Sequence, residues 1–90
     1  MNNSIQIGAV VLSVMGRDSG RFYVVVGLEG DNYVYIADGE TRLLAKPKLK
    51  KLKHLRYNGE NLESIGLKLV ESKQVFDAEI RSALRARNTK

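Results

Sequence analysis

Apolar side chains alternate with other residues over short stretches in the first part of the chain, and turn-forming residues separate these stretches. Val10, Leu12 and Val14 fall on one face of a two-residue period, the pattern of a strand with one face in a core. The following stretches, FYVVVGL and YVYIA, are rich in the β-branched and aromatic residues that favour strands. The pattern predicts a fourth strand at TRLLAK and a fifth at KHLRY, with Pro47 in the connection.

Glycine, aspartate and asparagine occupy the predicted turns at residues 16–20, 29–32 and 37–39. In the last of these turns, ADG, Asp38 is expected to accept hydrogen bonds from its own backbone. Five short strands within residues 5–58 favour a mainly β fold, a small SH3-like five-stranded β-barrel, because closure leaves no exposed sheet edge.

The periodicity changes after Asn58 and Gly59. Apolar residues then recur at helical spacing: Leu62, Ile65, Leu69, Phe76, Ile80 and Leu84. We expect one or two short helices, divided around residues 72–75, with Asp77 as the cap of the second. Residues 59–90 are thus predicted to form a helical C-terminal extension packed on or near the barrel.

Positive charge is concentrated in the middle of the chain. The net charge is +5, and no acidic residue lies between Glu40 and Glu60. Seven basic residues fall in this interval: Arg42, Lys46, Lys48, Lys50, Lys51, Lys53 and Arg56. A polyanion is therefore the first partner to consider, whereas a solubilising surface is the alternative interpretation of the lysines.

Composition excludes several classes of function. The chain has no cysteine, so disulfides and thiolate metal sites are excluded. His54 is the single histidine and has no nucleophile or carboxylate near it in sequence, and neither a P-loop nor a dinucleotide fingerprint is present. We predict a protein that is not an enzyme and has no cofactor or metal. The N-terminal apolar run is too short for a membrane span, which favours a cytoplasmic protein.

The loop at residues 16–20 carries more than a turn requires. Glycines let a backbone approach a phosphate closely, since no Cβ stands in the way. Arg17 and Arg21 can each offer a planar fork to phosphate oxygens or stack on an unpaired base. The alternative is a hairpin turn alone, in which Arg17 and Asp18 form a local ion pair.

The stretch GAVVLSVMGRDSGRFYVVVGL resembles a KOW motif, a glycine-containing loop between two apolar strands. Its continuation, YVYIADGETRLLAKPKLKKLKHL, and the later DAEIRSAL resemble bacterial KOW-domain RNA-binding proteins related to the fourteen-e class of archaeal and eukaryotic large-subunit ribosomal proteins. The resemblance covers about residues 7–86. Phe76 departs from it, because those relatives tend to carry a capping Thr or Ser there.

This resemblance implies a ribosome-associated RNA-binding protein that acts in translation. It would contact ribosomal RNA through the KOW loop, residues 16–21, and through the basic patch between Glu40 and Glu60. The RNA-binding residues it predicts, together with the charge pattern, are Gly16, Arg17, Asp18, Ser19, Gly20, Arg21, Arg42, Lys46, Lys48, Lys50, Lys51, Lys53 and His54. The expected partners are ribosomal RNA and ribosomal proteins, without a membrane, and the free protein is expected to be a monomer.

The sequence leaves alternatives for the function, for the tyrosines and for the kind of ribosome-associated protein. KOW barrels also resemble the C-terminal domain of the transcription factor NusG, so a protein-interaction module in transcription or translation complexes is the alternative function. The four tyrosines, Tyr23, Tyr33, Tyr35 and Tyr57, are candidates either for packing or for base stacking. A ribosomal component, an assembly factor and a stress-state binder are equally compatible with the sequence.

Overall fold

The computed structural model describes residues 5–88, which form five strands and two α-helices. The strands are β1 (Ala9–Ser13), β2 (Phe22–Glu29), β3 (Tyr33–Ala37), β4 (Lys48–Lys51) and β5 (Leu55–Asn61). A single 3-10 turn, Leu52–His54, connects β4 to β5, and the helices are α1 (Glu63–Val70) and α2 (Asp77–Asn88). None of the helices within residues 5–88 has the length and apolar character that a membrane crossing requires.

All five strands belong to one antiparallel sheet in the order β4-β3-β2-β1-β5. The mainly β prediction with five antiparallel strands is therefore confirmed. Closure into a barrel is not confirmed, because the edge strands β4 and β5 share no ladder among the described residues. Irregularities in the β1–β5 and β2–β3 pairings change the register, which increases twist at those points.

The sheet buries both of its faces, although the alternating pattern predicted only one. One apolar cluster consists of Ala9, Val11, Tyr23, Val25, Val34 and Ile36. The second lies on the opposite face and joins the sheet to the helices: Val10, Val24, Ile65, Ile80 and Leu84. Neighbouring residues of β1 thus face different cores, because the helices cover the face that an isolated hairpin would leave in water.

Close backbone contact holds α1 against the start of β1. The N–H of Leu62 donates to the carbonyl of Gly8 at 2.8 Å. A Cβ on Gly66 would stand 2.8 Å from the carbonyl oxygen of Ile7, and one on Gly8 would stand 2.9 Å from the Cα of Gly66. A side chain at either position would collide with the backbone of the other segment. This close approach of α1 to the start of β1 therefore requires glycine at both Gly8 and Gly66.

Polar contacts at the C-terminal end of α2 fix this helix on the sheet. The side-chain amide of Asn88 accepts from the N–H of Phe22 at 2.8 Å and donates to the carbonyl of the same residue at 3.1 Å. Arg87 pairs with Glu60 of β5. The face of α2 that carries Ile80 and Leu84 is thereby held on β1 and β2.

The prediction of a strand at TRLLAK is wrong. Residues 39–47 contain bends and turns, because the Asp38 carboxylate takes the backbone N–H groups of Glu40, Thr41 and Arg42 at 2.8–2.9 Å. Donors held by a side chain cannot pair with a neighbouring strand. Asp38 therefore accepts hydrogen bonds from its own backbone, as predicted, but these bonds shape a much longer segment than the three-residue turn.

The last two strands are displaced from their predicted positions. Part of the lysine run itself forms β4, and the predicted fifth strand at KHLRY begins two residues later as β5. The two helices and the break between them are confirmed. The cap predicted at Asp77 is wrong, because its Oδ1 accepts from the N–H of Leu44 at 2.8 Å, and Glu79 instead accepts from the N–H of Phe76 at 3.1 Å.

Gly39 gives a direct test of how α2 packs on the ADG turn. Its φ is +76°, and an added Cβ would collide with the carbonyl oxygen of Asp77 and lie 2.9 Å from the nitrogen of Arg81. Gly39→Ala should therefore lower the free energy of unfolding by about 3 kcal/mol, from both backbone strain and displacement of α2.

The matched control is Gly30→Ala. Gly30 has a φ of +63°, with nothing within 4 Å of an added Cβ, so only the conformational cost of about 1 kcal/mol applies. Urea titration followed by circular dichroism measures both. Equal losses for the two variants would contradict the packing of α2 on Gly39.

Candidate nucleic-acid interface

Asp18 anchors the KOW loop to the basic part of the chain. Its Oδ1 accepts from Nη2 of Arg42 at 3.1 Å, and its Oδ2 accepts from Nζ of Lys50 at 3.4 Å. The Lys50 ammonium also donates to the carbonyl of Met15 at 2.9 Å and is almost completely buried. Lys50 thus reaches from β4 to the base of the loop, and its charge is used within the protein.

Asp38 forms a second buried ion pair beside the first. The Nε of Arg21 donates to its Oδ2 at 2.5 Å, and Nη2 of the same arginine donates to Glu40 at 2.8 Å. The Asp38 side chain has no exposed surface. Arg21, at the far end of the loop, is therefore neutralised locally.

Both aspartates are stabilised in their ionised form. Burial opposes ionisation of Asp18, but the hydrogen bond and charge of Arg42, with the charge of Lys50, outweigh it and lower the pKa of this carboxyl below its ordinary value. Burial likewise opposes ionisation of Asp38, yet the N–H of Arg42 and the Arg21 guanidinium bring its pKa below the ordinary value. Both ion pairs therefore persist at neutral pH and are lost only when the pH falls into the acid range.

The turn geometry requires the two glycines of the loop. Gly16 and Gly20 have φ values of +81° and +87°. The N–H of Gly20 donates to the carbonyl of Ser13 at 2.7 Å, and that of Ser19 donates to the carbonyl of Gly16 at 3.2 Å. An added Cβ on Gly20 would meet open space. The backbone at Gly20 is therefore accessible to a ligand from outside.

The lysines and arginines among the predicted RNA-binding residues fall into two groups by their contacts. Arg21, Arg42 and Lys50 hold carboxylates, as described above. The others form no ion pair within residues 5–88: Arg17, Lys46, Lys48, Lys51 and Lys53. Their charges are available to a ligand.

A groove lies next to the KOW loop, and two lysines of the second group, Lys46 and Lys48, line it. Its volume is about 430 Å³, and it is lined by Thr41, Arg42, Leu43, Lys46, Pro47, Lys48 and Leu49, which we call the 41–49 groove. Arg42 belongs both to this groove and to the Asp18 ion pair, so the loop and the groove form one continuous surface.

Lys51, Lys53 and His54 lie elsewhere on the surface. Lys51 and Lys53 line a different cavity with Asn32, Tyr33 and Leu52, and the Lys51 ammonium stands 6.0 Å from the centre of the Tyr33 ring. The carbonyl of His54 accepts from the N–H of Val14, so this residue sits at the base of the KOW loop. No three metal-ligating side chains come together in the part of the chain that the structure describes.

The tyrosines divide between packing and surface. Tyr23 is completely buried, and Tyr57 packs partly against the same core. Tyr33 and Tyr35 are half-buried on the opposite face of β3, where they pair in register with Lys51 and Leu49 of β4. Tyr23 therefore has no ring surface that a ligand could reach, whereas Tyr33, Tyr35 and Tyr57 are each partly exposed.

Two arginines of α2 were not among the predicted site residues. Arg81 and Arg85 line a cavity together with Arg21, and Nη1 of Arg81 donates to the carbonyl of Gly39 at 2.9 Å. Their spacing of four residues places them on one helix face. That spacing is visible in the sequence, but the position of this face beside Arg21 follows only from the packing of α2.

The chain is similar to archaeal ribosomal proteins. No family model matches it. Over 82 residues it is 33% identical to the large ribosomal subunit protein eL14 of Pyrobaculum calidifontis, a match that covers 91% of this chain and 73% of the relative. The eL14 proteins of Pyrobaculum arsenaticum and Pyrobaculum aerophilum are each 34% identical with the same coverage. These relatives support the fourteen-e class, while the bacterial part of the predicted resemblance has no support from them.

The Asp18 ion pair gives a prediction for stability against pH. Because the pKa of Asp18 is lowered in the folded protein, its contribution is present above the ordinary value of 3.8 and is lost as the pH falls below it. We expect Asp18→Asn to melt at a lower temperature than wild type at pH 7. The difference in melting temperature should shrink as the pH is lowered from about 5 to about 2.

The control is Asp31→Asn, which removes an exposed aspartate that has no ion pair within the described residues. Differential scanning calorimetry across the pH series measures all three proteins. A constant difference between wild type and Asp18→Asn would show that the Asp18 carboxylate does not stabilise the loop through its charge.

Proposed function

Since the chain belongs to the eL14 family of large ribosomal subunit proteins, we propose that it binds ribosomal RNA as a non-catalytic component of the cytoplasmic ribosome. Its partners are then ribosomal RNA and the ribosomal proteins next to it, and its process is translation. The free protein is proposed to be a monomer, and the division after Asn58 into a KOW unit and a helical extension stays a prediction.

The observation that carries the RNA-binding proposal is the unpaired positive charge of the segment between Glu40 and Glu60. Between Glu40 and Glu60, only Arg42 and Lys50 meet a carboxylate, and both meet the same one, Asp18. The remaining five basic residues of this interval have no ion pair within residues 5–88: Lys46, Lys48, Lys51, Lys53 and Arg56. Such a surface attracts a polyanion, and phosphate contacts supply most of its affinity.

The predicted residues then have different roles. Arg17, Lys46 and Lys48 contact phosphates directly, and Gly16, Ser19 and Gly20 let the RNA backbone approach the loop. Asp18, Arg21 and Lys50 keep the loop in its conformation. Arg42 does both, because about one third of its side chain stays exposed at the groove while it pairs with Asp18. Lys51, Lys53 and His54 extend the contact beyond the groove.

A protein-docking function is the second candidate, and exposed apolar residues on α1 favour it. Leu67 and Val70 are each about 60% exposed and line a cavity with Ile7 and Tyr57. In a NusG-like KOW module this surface would bind a protein partner, with affinity nearly independent of salt. On a ribosome, the same surface is suited to contact with a neighbouring ribosomal protein.

A pull-down of the tagged protein from cells, at about 100 mM and about 500 mM salt, distinguishes the two functions. RNA binding predicts enrichment of ribosomal RNA that is lost at high salt. A partner protein that survives both nuclease and high salt, with no enriched RNA, would contradict the RNA proposal and favour docking.

The phosphate contacts themselves are tested with Lys46→Gln/Lys48→Gln. Each phosphate contact to a single strand contributes about 0.7 to the slope of log affinity against log salt, so the double variant should lower that slope by about 1.4. Fluorescence anisotropy with the enriched RNA measures it across a salt series.

The matched control, Lys68→Gln/Lys73→Gln, removes the same charge from two lysines that are paired with Glu79 and Glu71. Its slope should stay close to that of wild type. The same loss of slope in both variants would mean that net charge alone, and not the groove, determines binding.

A further inference from the structure

The 41–49 groove combines two properties that an ordinary charged surface lacks. Its lining contains three basic side chains and no acidic one. It also contains three apolar side chains, Leu43, Pro47 and Leu49, and the two leucines are 45% and 43% exposed. Exposed leucines do not help a surface to bind phosphate. The apolar part of the lining therefore indicates a ligand that also has an apolar part.

The segment is held so that these leucines stay at the surface. The N–H of Leu44 donates to Asp77, and the Leu44 side chain packs against the core between the sheet and the helices. The N–H of Lys46 donates to the carbonyl of Leu43 at 2.9 Å, which closes a turn. Leu43 is therefore directed away from the core, beside Leu49 at the edge of the sheet.

The apolar and basic parts of the groove together match the two parts of a nucleotide. A base presents flat apolar faces and the phosphates on either side carry the negative charge. In a duplex those faces are stacked on neighbouring bases, whereas in a loop, bulge or single strand they can be turned out and covered by a protein.

We propose that the 41–49 groove holds an unpaired nucleotide of RNA, with its base against Leu43, Pro47 and Leu49 and its flanking phosphates near Lys46 and Lys48. This inference rests on the proposed RNA-binding function and adds to it the class of RNA. The Arg42 side chain, about one third exposed and held by Asp18, carries a planar guanidinium on which the base can stack. The groove thus selects single-stranded or looped RNA over duplex.

The test compares wild type with Leu43→Ser/Leu49→Ser on two RNAs. One is a single-stranded oligonucleotide of about 12 nucleotides, and the other is the same strand annealed to its complement. Loss of apolar contact should weaken binding of the single strand by roughly fivefold. The slope against salt should not change, because no phosphate contact is removed. Binding of the duplex should be unaffected.

Two control variants accompany the test. Leu67→Ser makes the same chemical change at an exposed leucine of α1 outside the groove and should bind both RNAs as wild type does. Leu43→Met/Leu49→Met keeps the apolar surface and should also bind as wild type. If the serine variant fails to fold, replacing both leucines by Gln gives the polar groove with side chains of similar length, and circular dichroism verifies its fold.

The outcomes separate this inference from the function on which it rests. If the serine variant binds the single strand as wild type does while Lys46→Gln/Lys48→Gln binds more weakly, the inference is overturned and the RNA-binding function stands. Equal weakening on single strand and duplex would also overturn it, because the groove would then contact only the backbone. If both variants bind RNA as wild type does, the inference is overturned and the RNA-binding surface lies outside the groove. If wild type binds neither RNA, the proposed function itself fails, and an acidic peptide becomes the ligand to examine.

Discussion

The buried carboxylate of Asp38 organises much of this structure. A carboxylate without exposed surface is tolerated only when its charge and its oxygens are satisfied. Asp38 accepts five hydrogen bonds, from the side chain of Arg21, the N–H groups of Glu40, Thr41 and Arg42, and the hydroxyl of Thr41. These bonds shape the turn that places Gly39 against α2, and the same turn directs Arg42 towards Asp18. The start of the last helix and the position of the KOW loop therefore depend on one side chain.

Basic residues that look equivalent in the sequence therefore differ in function: some hold the protein's own carboxylates, and others are free to bind a ligand. Arg21 and Lys50 are close to the KOW loop, yet their charges are used by Asp38 and Asp18. Lys46 and Lys48 keep their charges available, because within residues 5–88 they form no ion pair and the groove that they line contains no carboxylate. A positively charged surface next to a loop of fixed shape is suited to RNA. Proteins recognise RNA more by its shape and its phosphate backbone than by the base edges in the grooves of its helix.

The first three strands and both helices could be predicted from periodicity, since each is defined by side chains within its own segment. The strand at TRLLAK could not be excluded, because its backbone donors are taken by Asp38, which no local pattern reveals. The second core was missed for a related reason: Val10 and Val24 are buried by α2, whose packing depends on distant contacts such as that of Gly39. Among the predicted RNA-binding residues, sequence reasoning could not distinguish the lysines and arginines that are paired with a carboxylate from those that are not. Leu43 falls in the strand predicted at TRLLAK and Leu49 in the connection that follows it, so periodicity does not predict their exposure in the groove.

Cross-linking by ultraviolet light, followed by mass spectrometry of the nucleotide-bearing peptides, tests the central claim most directly. The protein is irradiated on ribosomal particles isolated from its own cells, so that the natural RNA is present. We expect cross-links at the KOW loop, residues 16–21, and at the 41–49 groove. Cross-links confined to α1 around Leu67, or no cross-links at all on particles that contain the protein, would contradict it.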